Sequence, residues 1–143
     1  MAARIESGAY LGRGTPIISA ASPYTWCGWF KLNSDRNAAG AICCLLTSVG
    51  TWIHGLRVDT DGTALLLKLG ANSYSTGVNL SVGTWVHLAY TRSSNTFAVY
   101  VNGAAVFSQT FAVALTAAGY LLGSDGGAYV NGDHANTLVA QAT

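Results

Sequence analysis

The run from Gly83 to Gly103 constrains this chain more than any other stretch. Trp85, His87, Ala89 and Thr91 alternate with Val86, Leu88, Tyr90 and Arg92, the period of two expected of a strand whose faces meet different surroundings. Ser93 to Asn95 then turn the chain, and Phe97, Val99 and Val101 alternate with Ala98, Tyr100 and Asn102 on the way back. Asn102-Gly103 is a pair that accepts positive φ at both positions, as a tight type I′ turn demands. The run therefore predicts an antiparallel hairpin, and Ala104 to Phe111 continues it.

The same period recurs elsewhere. Tyr24, Trp26, Gly28, Phe30 and Leu32 alternate with Thr25, Cys27, Trp29 and Lys31, while Ala41 to Thr47 is a continuous apolar run that suits a strand buried on both faces. Trp52 to Val58 and Thr63 to Leu69 flank Asp59-Thr60-Asp61-Gly62 and are predicted to pair across that turn. Ala3 to Ile5 is a short strand, Ala9 to Gly12 a loop, Asn72 to Ser81 a less regular passage, and Tyr120 to Gly123 a further strand. Ser124 to Asn136 reads as a Gly-, Asp- and Asn-rich loop before a closing strand, Leu138 to Gln141. Ten or eleven strands in 143 residues, with turn signals every ~8–12 residues, predict a two-sheet sandwich. One domain, 1–143, accounts for the length, since a chain of this size buries roughly 68–70% of its unfolded surface without staples.

The charge balance excludes several function classes. A net charge of +1 from 7 basic and 6 acidic residues leaves no field able to gather nucleic acid. Charged residues are 9% of the chain against a typical ~25%, and between Leu69 and Ser124 the only formal charge is Arg92. Either Ser, Thr, Asn and Gly cover the outside, or much of it is buried against other subunits in a homo-oligomer or particle. No run of ~18 apolar residues offers a membrane span. The first residues lack an apolar signal segment, so if Met1 is the native start the chain is made in a cytoplasm and not exported by the usual route. Cys27, Cys43 and Cys44 sit in apolar strand contexts and read as buried thiols.

Several of these segments carry a family likeness. Gly83-x-Trp85-x-His87 followed by Phe97-x-x-Tyr100-Val-Asn-Gly103, together with Tyr24-Thr25, Trp29-x-Lys31-Leu32 and Tyr120-Leu-Leu-Gly123, resembles the laminin-G-like, or concanavalin A-like lectin/glucanase, jelly rolls from about Ala9 to Gln141. The resemblance implies an all-β, two-sheet antiparallel β-sandwich with His87 packed inside it. The clean alternation around Trp26, Trp29 and Trp85 places all three in the core. Domains of this family usually run on past the closing strand, whereas this chain stops at Thr143. The expectation is therefore a continuation in a longer parent, or an edge completed by another chain.

Catalysis on this fold would need paired carboxylates on one strand, as in Glu-x-Asp-x-x-Glu, and that motif is absent. Glu6 is the single glutamate, and Asp59 and Asp61 flank a turn that Asp favours for backbone hydrogen bonding. His54, His87 and His134 have no nucleophile beside them in a recognisable pattern, so no enzyme is expected. Many family members hold calcium at a rim. Asp125 and Asp133, with Asn131 and Asn136, are the oxygen ligands available for it here, at a spacing that matches no defined calcium loop. Glycan recognition needs an aromatic ring among hydrogen-bonding groups, and of Trp52, Tyr74 and Tyr129, Tyr129 lies among Asp125, Asn131, Asp133 and Asn136. The expected function is a non-catalytic recognition and assembly module binding a glycan or a protein surface. It is expected as a displayed subunit of a larger particle, such as a phage capsid decoration or tail component at a virion surface. A free-standing lectin, or the N-terminal binding domain of a longer protein, are the alternatives.

Overall fold

A computed structural model of the chain describes residues 2–5, 11–13, 23–33, 40–48, 51–60, 62–112, 119–122 and 132–141. Twelve strands, numbered in chain order, form two six-stranded antiparallel sheets among these residues. Sheet A runs, in spatial order, β1 (Ala2–Ile5), β12 (Gly132–Gln141), β3 (Tyr24–Leu32), β8 (Trp85–Ser93), β9 (Thr96–Val101) and β10 (Ala104–Thr110). Sheet B runs β2 (Leu11–Arg13), β11 (Gly119–Leu122), β4 (Gly40–Ser48), β5 (Thr51–Val58), β6 (Ala64–Leu69) and β7 (Asn72–Asn79).

The turn chemistry acts as the sequence predicts. Asn102 and Gly103 take φ of 51° and 82° between β9 and β10, and Ser94 takes 55° between β8 and β9. In the Asp59 to Gly62 turn, Gly62 N donates to the Asp59 carbonyl at 2.9 Å and Gly62 has φ of 82°. The strands on either side, β5 and β6, pair with Arg57 opposite Leu66.

The core fills from both inner faces. Tyr24, Trp26, Phe30 and Leu32 of β3 and Leu88 and Tyr90 of β8 meet Leu56 and Val58 of β5 and Leu65, Leu67 and Leu69 of β6. Burying a side chain of this kind contributes about 1.5–3 kcal/mol. Trp26 is 2% exposed, as expected, but Trp29 at 41% and Trp85 at 38% lie on the outer face of sheet A, and His87 is half-buried there beside Trp29. The alternation in β8 is therefore real and its phase is the reverse of the one expected. Arg92 stands in register with Val86, Leu88 and Tyr90, which makes that set look wet; in the fold it is 6% exposed, its Nε donating to the Ser94 carbonyl at 2.8 Å and its guanidinium 5.9 Å from the Phe97 ring.

Three further boundaries differ. Leu11 and Gly12, placed in the expected loop, join Arg13 in a strand that pairs with β11, and Asn72 to Asn79 form β7, whose mostly exposed residues reflect an edge strand with little to bury. The closing strand starts at Gly132, so Asp133 and Asn136 belong to β12 and not to a loop. Polar residues can occupy β12 because Gly132 to Ala135 are held in the ladder on both sides, by β1 and β3, before the register shifts between Ala135 and Leu138.

Bulges shape both sheets. In β4 the register against β5 shifts around Ile42, and the backbones close so tightly that a Cβ at Gly55 would run into the Cys43 carbonyl oxygen and stand 2.7 Å from Cys44 Cα. Edge strand β7 gains Thr76 and Gly77 relative to β6; the Thr76 hydroxyl donates to the Leu65 carbonyl at 2.7 Å, and Gly77 takes φ of 75°. Edge strand β10 shifts register between Ala105 and Phe107.

Two stability tests follow from this packing. Gly55→Ala is expected to destabilise the fold by about 1–3 kcal/mol, because backbone must move to admit one methyl group; an unchanged denaturation midpoint would contradict the close approach. Trp26→Ala is expected to cost about 3–5 kcal/mol as a large-to-small core change, and Trp85→Ala less than half of that. Urea titration of both variants ranks them, and equal losses would restore Trp85 to the core.

Candidate functional site

The crossover from sheet B to sheet A builds a recess that combines an exposed aromatic with polar groups. β7 ends at Asn79, Leu80 follows, and Ser81 to Thr84 turn the chain into β8. Leu80 N donates to the Thr63 carbonyl at 2.9 Å, Gly83 N to the Leu32 carbonyl at 2.7 Å and Thr84 N to the Ser81 carbonyl at 3.3 Å, so the turn is tied to both sheets. Gly83 takes φ of 76°, a conformation glycine adopts at no steric cost. Val78, Asn79, Leu80, Ser81, Thr84 and Trp85, with Val86, Val101 and Asn102, line a pocket of about 160 Å³. That is roughly half the ~300 Å³ at which drug-sized cavities begin. It suits one small ring or the end of a longer ligand.

The pocket wall is preorganised. His87 N donates to Asn102 Oδ1 at 3.0 Å and Asn102 N to the His87 carbonyl at 2.8 Å, which fixes the amide at the head of the β9–β10 turn. Lys31 Nζ stands 5.3 Å from the centroid of the Trp85 ring, a cation–π contact that steadies the indole. The lysine is itself held by Asp133, with Nζ 2.8 Å from Oδ2, and Asn33 Nδ2 donates to Asp133 Oδ1 at 2.9 Å. No lining residue carries a formal charge.

Of the site residues predicted from sequence, Tyr129, Asp125 and Asn131 lie outside the described residues, as does Asp61. Asn136 is on β12 where the register shifts, and Asp133 is buried on the same strand, engaged by Lys31 and Asn33. Among the described residues no group of three His, Cys, Asp or Glu side chains is placed to hold a metal. Asp59 accepts from Thr60 N at 2.6 Å, a turn role. Tyr74 packs half-buried against Phe107 with ring centroids 6.3 Å apart. Sequence reasoning missed the crossover pocket because it placed Trp85 inside; Val82, an apolar residue in a turn beside it and exposed, was the available sign.

A second polar cluster lies between the sheets. The Tyr24 hydroxyl is 2.8 Å from His54 Nδ1 and 2.9 Å from Nε2, and with one proton to give it donates to whichever nitrogen is unprotonated. The Tyr90 hydroxyl stands 3.5 Å from Nδ1, and the Phe97 ring packs 5.3 Å away. Burial pushes both tyrosines and Cys43 up, and burial, assisted by the Arg92 charge, holds His54 down at about 3. Tyr24, His54, Tyr90 and Arg92 are all buried, so the cluster is closed to ligands and its role is internal. His134, facing Phe30 at 5.1 Å, is a separate case: neither ring nitrogen finds a hydrogen-bond partner, and burial holds it down at about 4 against the opposing pull of Asp133.

The comparisons with known proteins agree on architecture. The model of the concanavalin A-like lectin/glucanases superfamily, in its laminin-G-like form, matches residues 6–142. Similar solved structures include a presumptive carbohydrate-binding protein of Bacteroides ovatus, with a TM-score of 0.77 at 16% identity over 99% of this chain and 44% of that one. A Trypanosoma rangeli sialidase in complex with sialic acid matches with a TM-score of 0.69 at 16% identity, over 82% of this chain and 20% of the sialidase. The native heptameric SAP-like pentraxin of Limulus polyphemus gives 0.60 at 22% identity, over 83% and 64%. The chain thus spans less than two thirds of each of these proteins, and at such identities the likeness is one of fold. No curated protein matches the sequence.

The buried histidines generate a pH test. Both have folded pKa values below the ~6.5 of an unfolded histidine, so the unfolded state takes up protons first as pH falls. Their contribution is complete above pH ~6.5 and is lost on acidification toward about 4 and about 3, with a slope of up to ~1.4 kcal/mol per pH unit for each ring. Urea titrations between pH 7 and 4 are expected to show this fall. His134→Phe, which removes an unpartnered buried imidazole, is expected to flatten it; an unaltered slope would contradict the assignment.

Proposed function

We propose that this chain, which belongs to the concanavalin A-like lectin/glucanases superfamily, is a non-catalytic carbohydrate-recognition module that takes a sugar ring at the crossover pocket. The observation that carries the reading is Trp85, an indole exposed at the margin of a small, uncharged recess and held in place by Lys31. The apolar face of a sugar stacks on such a ring, while Asn79, Ser81, Thr84 and Asn102 offer hydroxyls and amides to the sugar hydroxyls. The superfamily and the Bacteroides ovatus neighbour support a carbohydrate as the ligand.

The absence of catalysis is supported by the lining, which contains no carboxylate to serve as acid or base. A metal-free mode is supported by Asp133, whose carboxylate is already engaged by Lys31 and Asn33. Display on a larger particle, such as a capsid decoration or tail subunit, is the finer form of the proposal. Its support is the surface: between Gly70 and Ala112 the only formal charge is Arg92, and that side chain is buried.

Screening on a glycan array followed by calorimetry tests the reading. The chain is expected to bind a glycan, to keep that binding in a chelator, and to release no reducing sugar from it. Trp85→Ala is expected to weaken binding by ~1–3 kcal/mol, the loss typical of an aromatic anchor, while the variant remains folded. A chain that binds no glycan, or a variant that binds as tightly as the parent, would remove the pocket from consideration.

A further inference from the structure

We infer that the outer face of sheet A beside the pocket is a second, contiguous subsite, which takes the next residues of a neutral glycan laid across β3 and β8. This inference rests on the carbohydrate reading above and specifies the ligand. Register places Trp29 opposite His87 and Lys31 opposite Trp85, so the two exposed indoles are diagonal neighbours on adjacent strands. Such positions lie roughly 7–8 Å apart, close enough for consecutive rings of one chain to cover both.

The platform is fixed before any ligand arrives. The His87 ring meets Trp29 edge-on, with centroids 5.4 Å apart and planes at 68°, while Lys31 holds Trp85. Cys27 and Ala89 are paired in the same register and are small, so the two indoles stand above a low floor. A pair of preset rings loses little conformational freedom on binding, which favours stacking.

Charge selects the ligand class. On this face Lys31 is paired with Asp133 at 2.8 Å, and Arg4 of β1 stands opposite Asp133 in register. A sialylated or uronic-acid glycan would present a carboxylate to a cation already matched, whereas a neutral chain asks only for stacking and hydrogen bonds. The face also continues from the pocket through Trp85, which belongs to both. A protein partner fits less well, because stable interfaces bury ~800 Å² per side around a well-packed apolar core, and here the two indoles are interleaved with His87 and Lys31.

The test uses an array of neutral glycans of one to six residues beside their sialylated and uronic-acid counterparts, then calorimetry on the best neutral series. Affinity is expected to rise about tenfold or more from one residue to three. Trp29→Ala is expected to abolish that gain while leaving the monosaccharide affinity within about twofold, and Trp29→Phe to recover part of it. A length gain that survives Trp29→Ala, or a preference for anionic glycans, would overturn this inference and leave the carbohydrate reading standing. So would a Trp29→Ala variant whose native mass changes while its glycan affinities do not, since the face would then be a contact between copies of the chain. If no glycan binds at all, the carbohydrate reading fails and this inference with it.

Discussion

The hydrogen bond between the Tyr24 hydroxyl and the His54 ring spans the interior from sheet A to sheet B. Most of the core around it is aliphatic and aromatic surface, which attracts without direction and would tolerate one sheet sliding over the other. A hydrogen bond in that low-dielectric setting is stronger than in water and costly to leave unmade, so it selects one alignment of the sheets. Tyr90 and Arg92, at the same end of β8, surround the imidazole, and the outer face of β8 is fixed as a consequence. Where Tyr90 points in, Trp85 and His87 point out.

That dependence explains what could be read in the sequence. Local chemistry was legible: Asn102-Gly103 adopts its positive φ pair, Gly62 closes the Asp59 turn, and Tyr24 to Leu32 alternate as a strand, although Trp29 falls on its outer set. The sandwich and its superfamily followed from such local patterns. The phase of β8 was not legible, because both of its faces carry large apolar residues and the arginine sits on the inner one. The hydrogen bond from its Nε to the Ser94 carbonyl and the cation–π contact with Phe97 help to explain why Arg92 can be there.

The candidate site was harder to read for a related reason. Asp133, Lys31, Trp85 and Asn102 come from β12, β3, β8 and the β9 turn, and only pairing across three ladders unites them. Asp133 looked like a loop residue because Gly and Asn surround it, yet the ladder on both sides holds it in a strand, where Lys31 lies opposite. A cluster assembled by register leaves no motif in sequence, whereas a turn does. The pocket occupies the place where the chain must leave one sheet for the other, a connection that can vary without disturbing the ladders.

The bulges in β7 and β10 have a consequence for how this molecule coexists with its own copies. Edge strands invite pairing, and proteins commonly discourage it with lysines, whose repulsion weakens as salt rises. Neither β7 nor β10 has a charged residue. What interrupts their outward hydrogen-bonding rows is shape: the Thr76-Gly77 insertion in one edge and the register shift before Phe107 in the other. Ions cannot screen a bend. At these two edges the device is indifferent to brine and to pH, and it persists as long as the backbone itself stays folded.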